Sequence, residues 1–196
     1  MKTIFKISLF LSCIILVSAG CDETVDIPVS TIKDIDGNVY HTAKIGDQEW
    51  LVENLRVVHY RNGDSIPNVE DGTKWGQLTT GAYCDYNNAA AFAKTYGRLY
   101  NAYAVIDARN IAPEGWHVAT HDDFVTLEEY LGGVDTAGGK MKEEGTAHWS
   151  SPNTGATNYS GFKGLPGGYR GWTTGIFSGL YYQGIWWTST EYDSIN

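Results

Sequence analysis

Cysteine is almost missing from this chain of 196 residues: three occur, Cys13, Cys21 and Cys84. Cys13 falls in an N-terminal export segment and Cys21, just after it, reads as thioether-linked, so Cys84 stands alone and the body of the chain cannot close a disulfide of its own. It reads as a small buried hydrophobe, not a nucleophile. Basic residues are also few, 14 against 23 acidic, for a net charge of −9. A chain of that sign is repelled by every phosphate it approaches, which excludes nucleic acid as a partner. Long apolar runs are lacking too, because the one from Ile7 to Val17 is too short to cross a bilayer as a helix. No calcium loop is present either. In Asp34-x-Asp36, Gly37 comes two positions too early for an EF-hand, so the stretch reads as a turn.

What is present begins with the export signal. Lys2 and Lys6 precede the apolar run, and Ser18-Ala19-Gly20 lead into Cys21, the layout of a secretory signal peptide. Small residues just before a cysteine resemble the lipobox of bacterial lipoproteins, although Ser18 stands where that motif usually has Leu. The reading is lipidation at Cys21, and the alternative is a plain signal peptide cut near Ala19. Asp22, Glu23 and Asp26 resemble the acidic tag that sends lipoproteins of the Bacteroidetes type to the outer face of the outer membrane. Residues 1–20 are thus expected to be a signal peptide, 21–30 a tether and 31–196 one domain. The protein is expected in the outer membrane, exposed at the cell surface and anchored to its lipid through Cys21. Loss of Lys2 and Lys6 takes the charge from −9 to −11, and the remaining length suits a single domain with a real core.

The stretch Pro113–Phe124 organises the rest. Trp116-His117-Val118 reads as a short strand. Thr120 suits a helix N-cap, with Asp123 closing a capping box and Asp122 and Asp123 complementing the helix dipole. The helix is predicted from His121 to Leu131, burying Phe124, Leu127 and Leu131 at i, i+3 and i+7, and Gly132-Gly133 supplies the left-handed stop. His117 and His121 therefore straddle a strand-to-helix junction, which argues against a zinc pair.

Upstream, alternation from Ile32 to Ile45 predicts a hairpin turning at Asp36-Gly37-Asn38, and Gln48–Val52 begins a third strand after Gly46-Asp47. Tyr60–Thr80 reads as loop with Trp75 its only large anchor. Asn87–Ala93 reads as a helical turn or short helix, and Tyr96–Val105 as a strand or a turn into a helix. The last third interleaves glycine with Tyr159, Phe162, Tyr169, Trp172, Phe177, Tyr181, Tyr182, Trp186 and Trp187, a spacing that suits short strands and tight turns.

Seven segments carry a resemblance: Asp36-Gly37-Asn38-x-Tyr40; Gly46-x-Gln48-x-Trp50-x-x-Glu53-Asn54-Leu55; Gly97-x-Leu99-Tyr100-Asn101; Pro113-x-Gly115-Trp116-His117-Val118-x-Thr120; Thr157-Asn158-x-x-Gly161-Phe162; Leu165-Pro166-Gly167-Gly168-Tyr169-Arg170; and Trp186-Trp187-Thr188-Ser189-Thr190. In that order they closely resemble the Fibrobacter succinogenes major paralogous domain family. The resemblance implies a secreted or surface-tethered bacterial domain, often a lipoprotein, with no established activity. It further implies an irregular α+β fold of many short antiparallel strands and one or two helices, similar to C-type lectins and formylglycine-generating enzymes. Two departures stand out. Ala112 occupies the place of a cysteine common in the family, and the family's C-terminal strand with its second cysteine has no counterpart before Asn196. A free edge is then expected on the strand around Ile32–Asp36.

Chemistry of the formylglycine-generating type needs two reactive cysteines, and a calcium-dependent lectin needs Glu-Pro-Asn or Gln-Pro-Asp; the chain has neither. Asp122 and Asp123 are expected to cap the helix, while Glu128 and Glu129 form its solvated side. No catalytic residue, metal ligand or cofactor site is therefore expected. Seven tryptophans and thirteen tyrosines have two readings, a core short of aliphatic residues or rings that stack on sugars. Trp50, Trp116 and Trp186 are read as core, while Trp75, Trp172 and Tyr181, in glycine-rich loops, are the candidate ligand-binding residues. The function expected is a non-enzymatic binding or adhesion module for a glycan or another surface protein. The alternatives are a carbohydrate-active enzyme or its accessory domain, and a structural surface component. Asp64-Ser65-Ile66, Asp135-Thr136-Ala137 and Asp193-Ser194-Ile195 resemble a Bacteroidetes O-glycosylation sequon.

Overall fold

The computed structural model describes residues 30–191. The expected signal peptide, most of the tether, Cys21 and the Asp193-Ser194-Ile195 motif lie outside them. The chain opens with an antiparallel sheet of β1 (Thr31–Lys33), β2 (Val39–Ile45) and β3 (Gln48–Leu51). Its first turn is fixed by Asp34, which is buried and accepts from the Asn38 N–H (2.9 Å), the Asn38 side-chain amide (2.7 Å) and the Tyr40 hydroxyl (2.6 Å). Gly37 and Gly46 take the positive φ that the two turns demand. β2 is central, so both β1 and β3 have one edge without a strand among the described residues.

Short elements follow. The Tyr60–Thr80 stretch expected as loop contains a helix, α1 (Gly72–Gly76), capped by Asp71. Its end glycines let it lie against the Thr173–Gly175 backbone, where a Cβ at Gly76 would stand 2.3 Å from the Thr173 oxygen. Then come β4 (Tyr83–Cys84), α2 (Ala90–Tyr96), β5 (Leu99–Tyr100), which pairs with β4, and α3 (Ala102–Val105). Both readings of Tyr96–Val105 are thus realised in sequence, a strand and then a helical turn capped by the Asn101 side chain.

The central helix is as expected: α4 (His121–Tyr130) carries the Thr120–Asp123 capping box. It ends with Gly132 N–H on Glu129 O and Gly133 N–H on Glu128 O, the two bonds of a Schellman stop. Leu127 and Leu131 are buried and Phe124 half-buried, against Ile45 and Trp50 of the sheet. One expectation is corrected. Trp116–Val118 belongs to no strand, because no neighbour among the described residues pairs with it, and α4 packs on the β2–β3 sheet instead.

A second helix follows at once, α5 (Val134–Met141). Gly138 and Gly139 argue against a helix by propensity, each costing about 1 kcal/mol relative to alanine. Gly139 is there for packing, since a Cβ would meet the Gly155 oxygen at 2.4 Å. The chain closes with the hairpin β6 (Gly167–Arg170) and β7 (Phe177–Leu180). The architecture is α+β; among the described residues it has five short α-helices, more than the one or two expected, between small antiparallel sheets. Two main apolar clusters hold it together. One gathers Val57, Tyr60, Ile66, Ala104, Val105 and Ile111, the other Ile45, Leu127, Leu131, Ala137 and Phe162.

Candidate functional site

Arg61 builds one wall. Its Nε and Nη2 donate to the Ala112 oxygen (3.1 and 2.9 Å), and Nη2 also reaches the carbonyls of Pro113 (2.8 Å) and Trp116 (2.6 Å). One guanidinium thereby satisfies three carbonyls of a loop that turns at Gly115 (φ +79°). At the far end Ser189 donates its N–H to the Ala119 oxygen and its hydroxyl to the Val118 oxygen, both at 2.9 Å, and Thr190 caps the His121 N–H (3.0 Å). Pinned at both ends, Trp116–Ala119 runs without a partner strand. Opposite it lie β3 and the Val52–Leu55 segment, and between the two walls opens a cleft of about 500 Å³.

Aromatic rings dominate its lining. Trp50, Phe124, Phe162 and Trp186 form its inner side, with Trp50–Phe124 centroids 5.1 Å apart and Phe162–Trp186 edge-on at 5.5 Å. Trp116, Trp187 and Tyr100 complete it. Hydrogen bonds fix the C-terminal rings: Trp186 Nε1 donates to Asn54 Oδ1 and Trp187 Nε1 to the Tyr100 oxygen, each at 2.9 Å. Asn54 in turn donates to the Tyr96 oxygen (2.9 Å).

The charged lining residues already have protein partners. Arg98 pairs with Asp85 (2.6 Å) and lies over the Tyr83 ring; Glu53 binds the His41 ring (2.5 Å) and N–H (2.7 Å); Glu49 accepts from Thr42 (2.6 Å). Gln48 Oε1 and Trp50 Nε1 are buried in the β3 wall without a hydrogen-bond partner among the described residues.

Asp123 accepts from the Thr120 N–H (2.8 Å), the Thr120 hydroxyl (2.7 Å) and the His117 ring (2.9 Å). Burial alone would raise its carboxyl; the Thr120 and His117 bonds outweigh it and hold the pKa at about 2. In the unfolded chain an aspartate titrates near 3.9. The folded form therefore gains stability that is fully present above about pH 4 and is lost as pH falls toward 2. Discounted for its partial exposure, the gain is on the order of 1 kcal/mol. Asp123→Asn is expected to remove this part of the acid dependence while also weakening the cap at neutral pH, as read by urea unfolding at pH 3 and pH 7.

The three candidate ring residues do not form one surface. Trp75 is 5% exposed, part of the core with Ala82 and Cys84 and covered by Arg170 (4.6 Å to the ring), so it presents no face to a ligand. Trp172 is 80% exposed on the β6–β7 turn, and Tyr181 is 43% exposed beyond the other end of β7, edge-on to Tyr96. Of the tryptophans read as core, Trp50 and Trp186 pack on the second cluster, whereas Trp116 stands in the cleft wall. Cys84 is buried, and burial pushes its thiol up to about 11, which makes it inert. Among the described residues no three His, Cys, Asp or Glu side chains converge to hold a metal ion. Ser65 of the first sequon-like motif is exposed in a loop, while Thr136 of the second lies in α5 with its hydroxyl on the Leu131 oxygen.

Scanning for exposed aromatics in glycine-rich loops misses the cleft, because its rings lie in several distant segments. The signal was nonetheless present. Gln48–Leu55, Pro113, Gly115–Val118, Phe162 and Trp186-Trp187, which belong to segments that carry the family resemblance, all border it.

Fold and site together define a small α+β domain with an aromatic cleft. The Fibrobacter succinogenes major domain matches residues 43–196, and the chain belongs to that family. No functionally curated protein and no solved structure matches it.

Proposed function

We propose that the protein is a non-enzymatic binding or adhesion module, lectin-like in fold, held outside the bacterium by a lipid on Cys21. The observation that carries this reading is the cleft itself: an apolar, ring-lined concavity of about 500 Å³, the size that ordinarily takes a ligand. Trp116 offers its ring there without an indole hydrogen bond to any described residue, so it is free to meet a ligand.

Trp116→Ala is expected to weaken binding to any partner that uses the cleft by at least tenfold, with unfolding temperature within about 3 °C of the parent. The check is a glycan and peptide array probed with both proteins. Turnover of a polysaccharide by the purified protein would overturn the non-enzymatic reading. The exposure of Trp172 favours a second reading, a glycan stacked on the β6–β7 turn. Trp172→Ala would then abolish glycan binding while leaving cleft binding intact.

A further inference from the structure

We infer that the cleft is a slot for an extended segment of another polypeptide, which adds as a strand between β3 and Trp116–Ala119. This rests on the cleft being the binding site and names the chemistry of what it binds. The first observation is which residues border it. A ligand lying over one face of a strand touches every second residue, because side chains alternate. Here all eight residues from Gln48 to Leu55 border the cleft, as do all five from Gly115 to Ala119. The cleft therefore runs along two backbone edges.

Those edges carry unused hydrogen-bonding groups. The Val52 N–H donates to the His41 oxygen, and Trp50 and Gln48 lie opposite Ala43 and Ile45. In an antiparallel ladder the intervening residues, Glu49 and Leu51, direct their N–H and C=O away from β2. Across the cleft, the carbonyls of Trp116, Val118 and Ala119 are taken by Arg61 and Ser189, while the N–H groups of His117, Val118 and Ala119 have no protein acceptor among the described residues, so that wall offers chiefly donors. Along β3 the Glu49 and Leu51 groups offer donors and acceptors alternating at the spacing of a strand, which a polypeptide backbone matches, so strand addition on β3 is the recognition mode this edge fits.

The surroundings specify the segment. Trp50, Phe124 and Phe162 on one side belong to one apolar cluster, and Leu55, Val105 and Ile111 on the other belong to the second. A strand between two apolar clusters buries both of its faces, so the ligand is a continuous apolar run and not an alternating one. Glu49, Glu53 and Asp123 outnumber Arg98 among the lining charges, and although each is hydrogen-bonded within the protein, their net negative field, on a chain of net charge −9, favours basic residues at the segment's ends. The occupant is a separate polypeptide with about five consecutive β-branched or aromatic residues between lysines or arginines.

The test uses a display library of nonapeptides with five-residue apolar centres, and the single peptide KKVIVFVKK with a form N-methylated at alternate residues. Tryptophan fluorescence gives affinity and amide hydrogen exchange gives the contact. The expected result is that peptides are enriched, that binding slows exchange at Glu49, Leu51 and Val118, and that N-methylation weakens it at least tenfold. Equal binding of the methylated form, or no protection of those amides, overturns the inference. So does a library that yields no binder, and cellohexaose binding in the cleft would then leave the binding-module reading standing. If neither peptide nor glycan binds, both fall. Protection at Glu49 and Leu51 in the protein alone, lost in a folded chain ending at Glu191, also overturns it, since the occupant would be this chain itself.

Discussion

Arg170→Met is expected to destabilise the domain by about 4 kcal/mol, lowering the unfolding temperature by on the order of 10 °C. The guanidinium is buried with no carboxylate beside it. Instead Nε donates to the Gly175 oxygen (2.9 Å), Nη1 to Val69 and Nη2 to Glu70 (2.6 Å each). The group is also flanked by the rings of Trp75 at 4.6 Å and Phe177 at 4.7 Å. Methionine fills much of the volume but leaves the Val69 and Gly175 carbonyls without a donor and Glu70 with only the Asn88 amide (3.1 Å), and it forfeits two cation–π contacts, which are worth most when desolvated. Arg170→Lys is expected to recover only a minor part, because a single ammonium cannot span three carbonyls set by a planar fork. Urea unfolding of the three proteins at pH 7 checks this; a loss below about 1 kcal/mol for the Met variant would count against the account.

Gly168→Ala is the second large effect, expected to exceed 4 kcal/mol or to abolish folding. Gly168 has φ +64°, and a Cβ there would stand 2.5 Å from the Ser178 oxygen, 2.7 Å from the Leu180 nitrogen and 2.8 Å from the Tyr86 ring. The left-handed conformation alone costs an L-residue about 1–2 kcal/mol. The rest comes from backbone that cannot retreat without opening the β6–β7 ladder. Gly63 separates the two contributions, since it has φ +91° with nothing within 4 Å of the added carbon. Gly63→Ala is expected to cost only about 1–2 kcal/mol. Thermal unfolding of both variants measures the difference.

These two positions also show why the hairpin region matters beyond itself. Arg170 ties β6 to the Val69–Glu70 loop, and Gly175 approaches Gly72 so closely that a Cβ would meet its oxygen at 2.3 Å. Segments about a hundred residues apart are therefore joined through backbone, which accepts neither a longer nor a shorter side chain at the contact.

Legibility followed the range of the interaction. The Thr120 cap, the Gly132-Gly133 stop and the β1–β2 hairpin rest on bonds between residues a few positions apart, so their residue types announce them. Trp116–Val118 has the composition of a strand, yet strand formation needs a neighbour and none of the described residues supplies one there. Helix α5 hid behind two glycines whose purpose is visible only against Gly155. Trp75 looked available in a glycine-rich loop because nothing nearby in the chain foretells that Arg170 covers it.

By itself, the sequence determined the α+β class, the central helix with its caps, the family and the order of the segments that come to border the cleft. Only the tertiary structure decided which rings face a ligand and which face the interior. Side chains of one type, in similar local settings, differ in exposure because partners distant in the chain cover some and not others. Trp186 is held by Asn54, 132 positions away, and Trp75 is stacked under Arg170, while Trp172 is left 80% exposed among the described residues.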